Sequence, residues 1–165
     1  MLNATIALLA LLATAGVAHA QTVVVVRHAE RADAGTGGAM MMATDPALSE
    51  AGRARAESLA IALEDAGITT IVVTEYKRTQ QTAAPLAKRL GLTVETVPSK
   101  DAEGLVAKVK AAKGNVLIVG HSNTVPPTIK RLGIEADVKI GESDYDDLFI
   151  INLGPPPSLL RLHYR

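Results

Sequence analysis

The sequence predicts an α/β fold, a three-layer α/β/α sandwich around a mostly parallel sheet. Three observations carry this prediction. Short β-branched runs alternate with helix-length stretches along the whole chain after residue 20. Two of those runs, Thr22–Val26 and Val116–Val119, are apolar without alternation, as strands covered on both faces must be. The intervening stretches end on glycines, at Gly67, Gly91 and Gly114, the residue type best suited to stop a helix.

The elements follow in order. Thr22–Val26 is the first strand, and Ala34–Asp45, rich in Gly, Ala and Met, is a loop. Ser49 is placed to cap a helix running through Asp65, with Glu50 in its first turn and Gly67 as its stop. Ile68–Thr74 is the second strand, Thr79–Leu90 the second helix, and Leu92–Val97 a short strand. Asp101–Lys113 is an amphipathic helix. After Val116–Val119 comes a turn, Gly120–Asn123, and a helix to Leu132 with Pro126 and Pro127 in its first turn, where missing N–H groups cost little. Leu148–Asn152 and Leu159–His163 are terminal strands around a Gly-Pro-Pro-Pro connection. No repeat and no low-complexity linker interrupts this order, so residues 21–165 are expected to form one domain, long enough to bury a core without metals or disulfides.

Residues 1–20 have a different character. Ile6–Ala15 is an apolar run, and Ala18-His19-Ala20 has the small-x-small form of a signal cleavage site, which places the cut before Gln21. The run is shorter than the roughly 20 residues a membrane span needs. Export is therefore expected, to the periplasm or the exterior, with no stable membrane insertion after signal cleavage. The absence of cysteine is compatible with an oxidising compartment.

The chain has 17 basic and 17 acidic residues and no net charge, which argues against a protein that coats nucleic acid or an anionic membrane. One Phe, three Tyr and no Trp leave few stacking platforms for bases. Any anion must be gripped by a few positioned cations. In a parallel sheet ligands gather at the carboxyl ends of the strands, and three polar clusters fall there: Arg27-His28-Ala29-Glu30-Arg31, Glu75-Tyr76-Lys77-Arg78-Thr79 and Gly120-His121-Ser122-Asn123-Thr124. A single histidine after a strand is most often a hydrogen-bonded loop residue, and a single arginine a surface ion pair. Two histidines and several arginines on one rim repel one another unless an anion balances them.

Taken together these segments resemble the histidine phosphatase superfamily, which includes phosphoglycerate mutases and histidine acid phosphatases. Val23-Val24-Val25-Val26-Arg27-His28-Ala29-Glu30 is similar to the family's strand and Arg-His-Gly motif, with Ala29 for glycine. Leu48-Ser49-Glu50-Ala51-Gly52 resembles its Leu-Thr/Ser-x-x-Gly helix entry, and Arg78-Thr79-Gln80-Gln81-Thr82-Ala83 its Arg-x-x-x-Thr-Ala segment. Val119-Gly120-His121-Ser122 resembles the strand end that carries the second histidine.

The resemblance implies a phosphoglycerate mutase-like fold and a phosphatase reaction. His28 would be the nucleophile that becomes phosphohistidine, with Arg27, Arg78 and His121 holding the phosphoryl oxygens. Arg31 falls where one branch has a further phosphate-binding arginine, and Ser122 where that branch has an acidic residue after the second histidine; both are candidate substrate-binding residues. Glu30 is a candidate proton donor, beside Glu95, Asp101, Glu103 and the acidic run Asp144, Asp146 and Asp147. Elementary chemistry agrees with the main roles. Neighbouring guanidinium charges disfavour imidazolium and leave the ring nucleophilic, and guanidinium forks match phosphoryl oxygens.

No cofactor is expected, and no metal, because arginines supply the charge and no Cys or carboxylate recurs at ligand spacing around the histidines. The expected substrate is a phosphorylated small molecule; some exported members of the family act on envelope sugars. The sequence carries no signal for oligomeric state. A serine hydrolase would use Ser122, then Asp144 or Asp147, then His163, because Gly120-His121-Ser122-Asn123-Thr124 nearly matches a nucleophile elbow. A non-catalytic phospho-ligand binder is the other alternative, and a mutase is disfavoured by the compact stretch from Arg78 to His121. The Ala34–Asp45 loop, with Met40, Met41 and Met42, is expected over the pocket mouth or as a connector.

Overall fold

The computed structural model describes residues 20–33 and 45–164. The expected signal segment, up to residue 19, and all of the glycine- and methionine-rich loop but Asp45 lie outside the described residues.

Ten elements follow one another: β1 (Thr22–Arg27), α1 (Glu50–Leu63), β2 (Ile68–Val73), α2 (Lys77–Leu90), β3 (Val94–Thr96), α3 (Ala102–Ala111), β4 (Asn115–Gly120), α4 (Val125–Arg131), β5 (Asp147–Asn152) and β6 (Ser158–His163). The sheet order is β3-β2-β4-β1-β5-β6. The first four strands in that order run parallel; β5 runs antiparallel to β1, and β6 antiparallel to β5. The predicted α/β sandwich with a mostly parallel sheet is the observed fold.

The unbroken valine run explains the position of β1 near the centre. Val24 and Val26 pack with Leu59 and Leu63 of α1 and Leu86 of α2. Val23 and Val25 pack on the opposite face with Val109 of α3 and Val125 and Ile129 of α4. All four valines are at most 2% exposed, and each such side chain contributes about 1.5–3 kcal/mol relative to exposure. Because both faces of the strand are covered, the polar residues that follow Val26 are confined to the sheet's end.

Helix boundaries differ from expectation by one or two residues. α1 closes at Leu63 and passes through a turn to Gly67, whose φ of 64° is left-handed. Helix α2 begins at Lys77, two residues before Thr79. Asp101 is a cap of α3, not part of it: its carboxylate accepts the amide of Gly104 at 2.8 Å. Gln21 ties the start of β1 to the end of α3, its side-chain nitrogen lying 2.9–3.1 Å from the carbonyls of Val109, Ala112 and Gly114. Among the described residues no helix is long and apolar enough to cross a membrane.

Candidate active site

Strands β2, β4 and β1 are adjacent and parallel, with Val73 beside Val119 and Val119 beside Val26. The residues that follow them therefore emerge side by side. Thr74 follows β2, His121 follows β4, and Arg27 with His28 ends β1. The amide of His28 donates to the carbonyl of Gly120 at 2.9 Å, which carries the β1–β4 pairing one residue beyond the strand.

The two histidine rings stand 5.3 Å apart, centroid to centroid, nearly edge to face. Both are buried, His28 to 4% exposure and His121 to 6%. Nδ1 of His28 lies 2.8 Å from the carbonyl oxygen of Ala29. A carbonyl only accepts, so Nδ1 carries the proton and Nε2 keeps its lone pair. Burial, followed by the charges of His121, Arg78 and Arg27, lowers the His28 pKa to about 3, against the opposing pull of the Ala29 carbonyl. His121 is lowered to about 4, again first by burial and then by Arg78 and Arg27, with Glu75 opposing. At neutral pH both rings are neutral, and His28 presents a free nucleophilic nitrogen.

The cations around these rings are held by groups that leave part of each free. Arg27 is 7% exposed, and its Nη1 donates to the carbonyls of Gly141, Glu142 and Asp144 at 2.7–3.3 Å. Its guanidinium lies 4.0 Å from the centroid of Tyr145, whose ring sits 6.1 Å from that of His28. Arg78 repeats the arrangement on the other side. Its guanidinium lies 4.2 Å from the Tyr76 ring, which meets His121 edge-on at 5.2 Å. Each histidine thus has an aromatic neighbour that also carries an arginine on its face, a placement that favours the guanidinium and orients its plane.

Three buried nitrogens here have no hydrogen-bond partner among the described residues: Nε of Arg27, Nε of Arg78 and Nδ1 of His121. Among the described residues Arg27 has no carboxylate within ion-pair distance, and Asp45 approaches Arg78 only to 3.7 Å. Buried donors without acceptors, and a buried cation without a counter-ion, are costly unless an anion completes the site. A tetrahedral oxyanion beside Nε2 of His28 would supply the missing acceptors.

The sequence profile of the histidine phosphatase superfamily (branch 1) matches residues 23–99. Over that stretch the chain is similar to the histidine phosphatase superfamily. Its fold is shared with the α-ribazole phosphatase of Shigella flexneri at a TM-score of 0.69, with 17% identity, over 87% of this chain and 96% of that one. It is shared likewise with a mycobacterial glucosyl-3-phosphoglycerate phosphatase in complex with inorganic phosphate, at a TM-score of 0.64 and 18% identity, over 87% and 96%. No curated protein matches this chain.

Within this histidine phosphatase fold, Arg27, His28, Arg78 and His121 come together from three strand ends, as their sequence positions imply. The other candidates are placed differently. Glu30 faces α1, where its carboxylate takes both Nε of Arg55, at 2.8 and 2.9 Å, and its Nη2, at 2.6 Å. Arg31 forms a two-pronged pair with Asp33 at 2.6 and 2.8 Å, near enough to Arg78 for its charge to lower the Arg78 pKa after burial has done so. Ser122 is half-buried in the turn after His121. Asp101 caps α3, and Glu95 pairs with Lys108.

The serine hydrolase constellation does not assemble. Asp147 is held by Arg161 at 2.7 and 2.9 Å, and His163 lies beside Asp146 and Asp147 on β6. Strand β6 is three positions from β4, about 14 Å at the usual strand spacing. Asp146, Asp147 and His163 could offer ligand atoms to a cation, but Asp147 already faces a guanidinium.

Several residues of the site were not singled out by sequence. Thr74 lies 2.9 Å from Nε2 of His121 and 3.0 Å from the hydroxyl of Thr79. Tyr145 lies within an acidic run, which drew attention to its carboxylates and away from the ring. Thr82, marked in the sequence only as the Thr of the Arg-x-x-x-Thr-Ala segment and given no role there, accepts the amide of Ala29, one helical turn after Arg78.

Proposed function

We propose that this chain is a phosphatase that hydrolyses a phosphorylated small molecule through a phosphohistidine on Nε2 of His28. The observation that carries the reading is the set of three partnerless buried nitrogens, on Arg27, Arg78 and His121, around a histidine whose other nitrogen is fixed by Ala29. With Thr74 donating to Nε2 of His121, that ring carries its proton on Nδ1 and offers it to a phosphoryl oxygen. Preorganised donors of this kind supply most of the barrier reduction in phosphoryl transfer.

The reaction has two displacements. The His28 lone pair bonds to phosphorus as the leaving group departs with its electron pair, while Arg27, Arg78 and His121 hold the equatorial oxygens. Water then attacks the phosphohistidine, the N–P bond returns its pair to Nε2, and both protons of the water leave with the released phosphate, as dihydrogen phosphate or with one passed to solvent. Turnover of p-nitrophenyl phosphate tests the reading. The account expects activity that is lost in His28→Asn and reduced about 10²–10³-fold in Arg78→Ala. Phosphate binding without turnover between pH 4 and 8 would favour a non-catalytic binder.

The reading includes export, with cleavage before Gln21. The Ala18-His19-Ala20 pattern directly ahead of Gln21 supports it, and Gln21 itself is held by the end of α3. Mass determination of the protein recovered from its native compartment tests this: a chain starting at Gln21 is expected, and one retaining Met1 would contradict it.

A further inference from the structure

All 17 Asp and Glu side chains lie within the described residues, so each can be placed. None of those around the histidine pair is arranged as a general acid. Glu30 is clasped by Arg55 on the α1 side. Asp33 is clasped by Arg31. Asp45 accepts the first amide of α2, from Lys77, at 3.0 and 3.2 Å. Glu75, whose charge acts on His121, accepts both the amide and the hydroxyl of Ser99 at 2.7 and 2.9 Å; against the upward push of burial, the bond to its own amide and these two bonds hold its pKa down. Asp144 accepts the amide of Gly141 at 2.8 Å. Glu142 is exposed and gives the site its backbone carbonyl, through Arg27.

A general acid must be protonated at working pH and must reach the leaving oxygen. Carboxylates that accept N–H bonds or pair with guanidinium are stabilised as anions, which is the opposite requirement. The clamp is therefore complete for the phosphoryl group, and among the described residues no carboxylate is placed to give a proton to the group that leaves.

We infer that this site is built for phosphoryl donors whose leaving group departs as a stable anion, the class of acyl phosphates, aryl phosphates and phosphoanhydrides, and not for the alkyl phosphomonoesters of sugars and polyols. The inference rests on His28 as nucleophile. In the first step the P–O bond breaks with its pair on a carboxylate, phenolate or phosphate oxygen, and no proton is needed for the charges to balance. An alkoxide leaving in the same way would need one. A general acid is worth about 10²–10⁴-fold when it is present, and alkyl phosphates forgo that factor here.

The test measures kcat/KM of the full chain on acetyl phosphate, a series of substituted phenyl phosphates, glycerol phosphate and a hexose phosphate. Phosphohistidine is scored in parallel with labelled p-nitrophenyl phosphate. The expected result is label on His28, a steep fall of kcat/KM as the leaving phenol becomes more basic, and alkyl phosphates slower than acetyl phosphate by about 10²-fold or more. Label on His28 with a flat series would overturn this inference and leave the function standing. No label on His28 from p-nitrophenyl phosphate during turnover would overturn both. Glu75→Gln and Glu142→Gln are expected to leave the series unchanged. A loss confined to poor leaving groups in either of them, or in Tyr145→Phe, would identify a proton donor and refute the inference.

Discussion

Thr82 accepts the backbone amide of Ala29 at 3.0 Å while its own hydroxyl donates to the carbonyl of Arg78 at 2.7 Å. One side chain, fully buried, thus joins the loop after the nucleophile to the helix that carries the second arginine. In Thr82→Val the shape is kept and the amide of Ala29 loses its acceptor. The expected cost is about 1–3 kcal/mol of stability, read from urea unfolding, with a fall in kcat/KM on p-nitrophenyl phosphate. An unchanged midpoint would show that the contact does not hold these elements together.

Gly52 meets a similar constraint. A Cβ at this position would fall 2.2 Å from the carbonyl oxygen of Glu30, and backbone cannot yield as a flexible side chain can. The first turn of α1 is locked there by Ser49, whose hydroxyl accepts from Gly52 and whose amide donates to Glu30. Gly52→Ala is expected to destabilise the protein by about 1–3 kcal/mol or more. Denaturant unfolding reads this directly, and a variant as stable as the parent would contradict the close packing.

These two contacts show what was legible in the sequence and what was not. The strand runs, the glycine stops and the Ser49 cap are local signals, so the order of elements could be read from them. Arg27, His28, Arg78 and His121 were legible because each directly follows a strand or opens the next helix. Glu30 and Arg31 were ambiguous because the direction of a side chain after a strand depends on partners distant in sequence, here Arg55 for Glu30. Tyr145 and Thr74 act only through tertiary contact with Arg27 and His121, and nothing adjacent to them in sequence marks that role.

Glu30 offers a direct contrast between structure and chemistry. Its pair with Arg55 is half-buried, so Glu30→Gln should cost about 1–2 kcal/mol of stability, between the values for exposed and buried pairs. The same variant should keep the wild-type dependence of kcat/KM on leaving group. A selective loss on poor leaving groups would make Glu30 the acid and contradict its placement against α1.

The histidine pair sets a pH dependence of known sign. Both rings have folded pKa values below the usual 6.5, about 3 for His28 and about 4 for His121. Between those values and 6.5 the unfolded chain binds more protons than the folded one, so stability rises with pH through that window. The histidine contribution is fully present above pH 6.5 and is lost as pH falls toward 3. Urea midpoints for the parent and for a His28→Gln, His121→Gln double variant should therefore converge as pH is lowered from 7 to 4. A constant difference over that range would contradict the lowered values.

The central claim is that Nε2 of His28 takes the phosphoryl group. Quenching the full chain during turnover of labelled p-nitrophenyl phosphate and mapping the label by peptide tests it most directly. The account predicts an acid-labile, base-stable label on His28 in the parent and none in His28→Ala. Label that persists in His28→Ala, or rapid turnover by that variant, would contradict it.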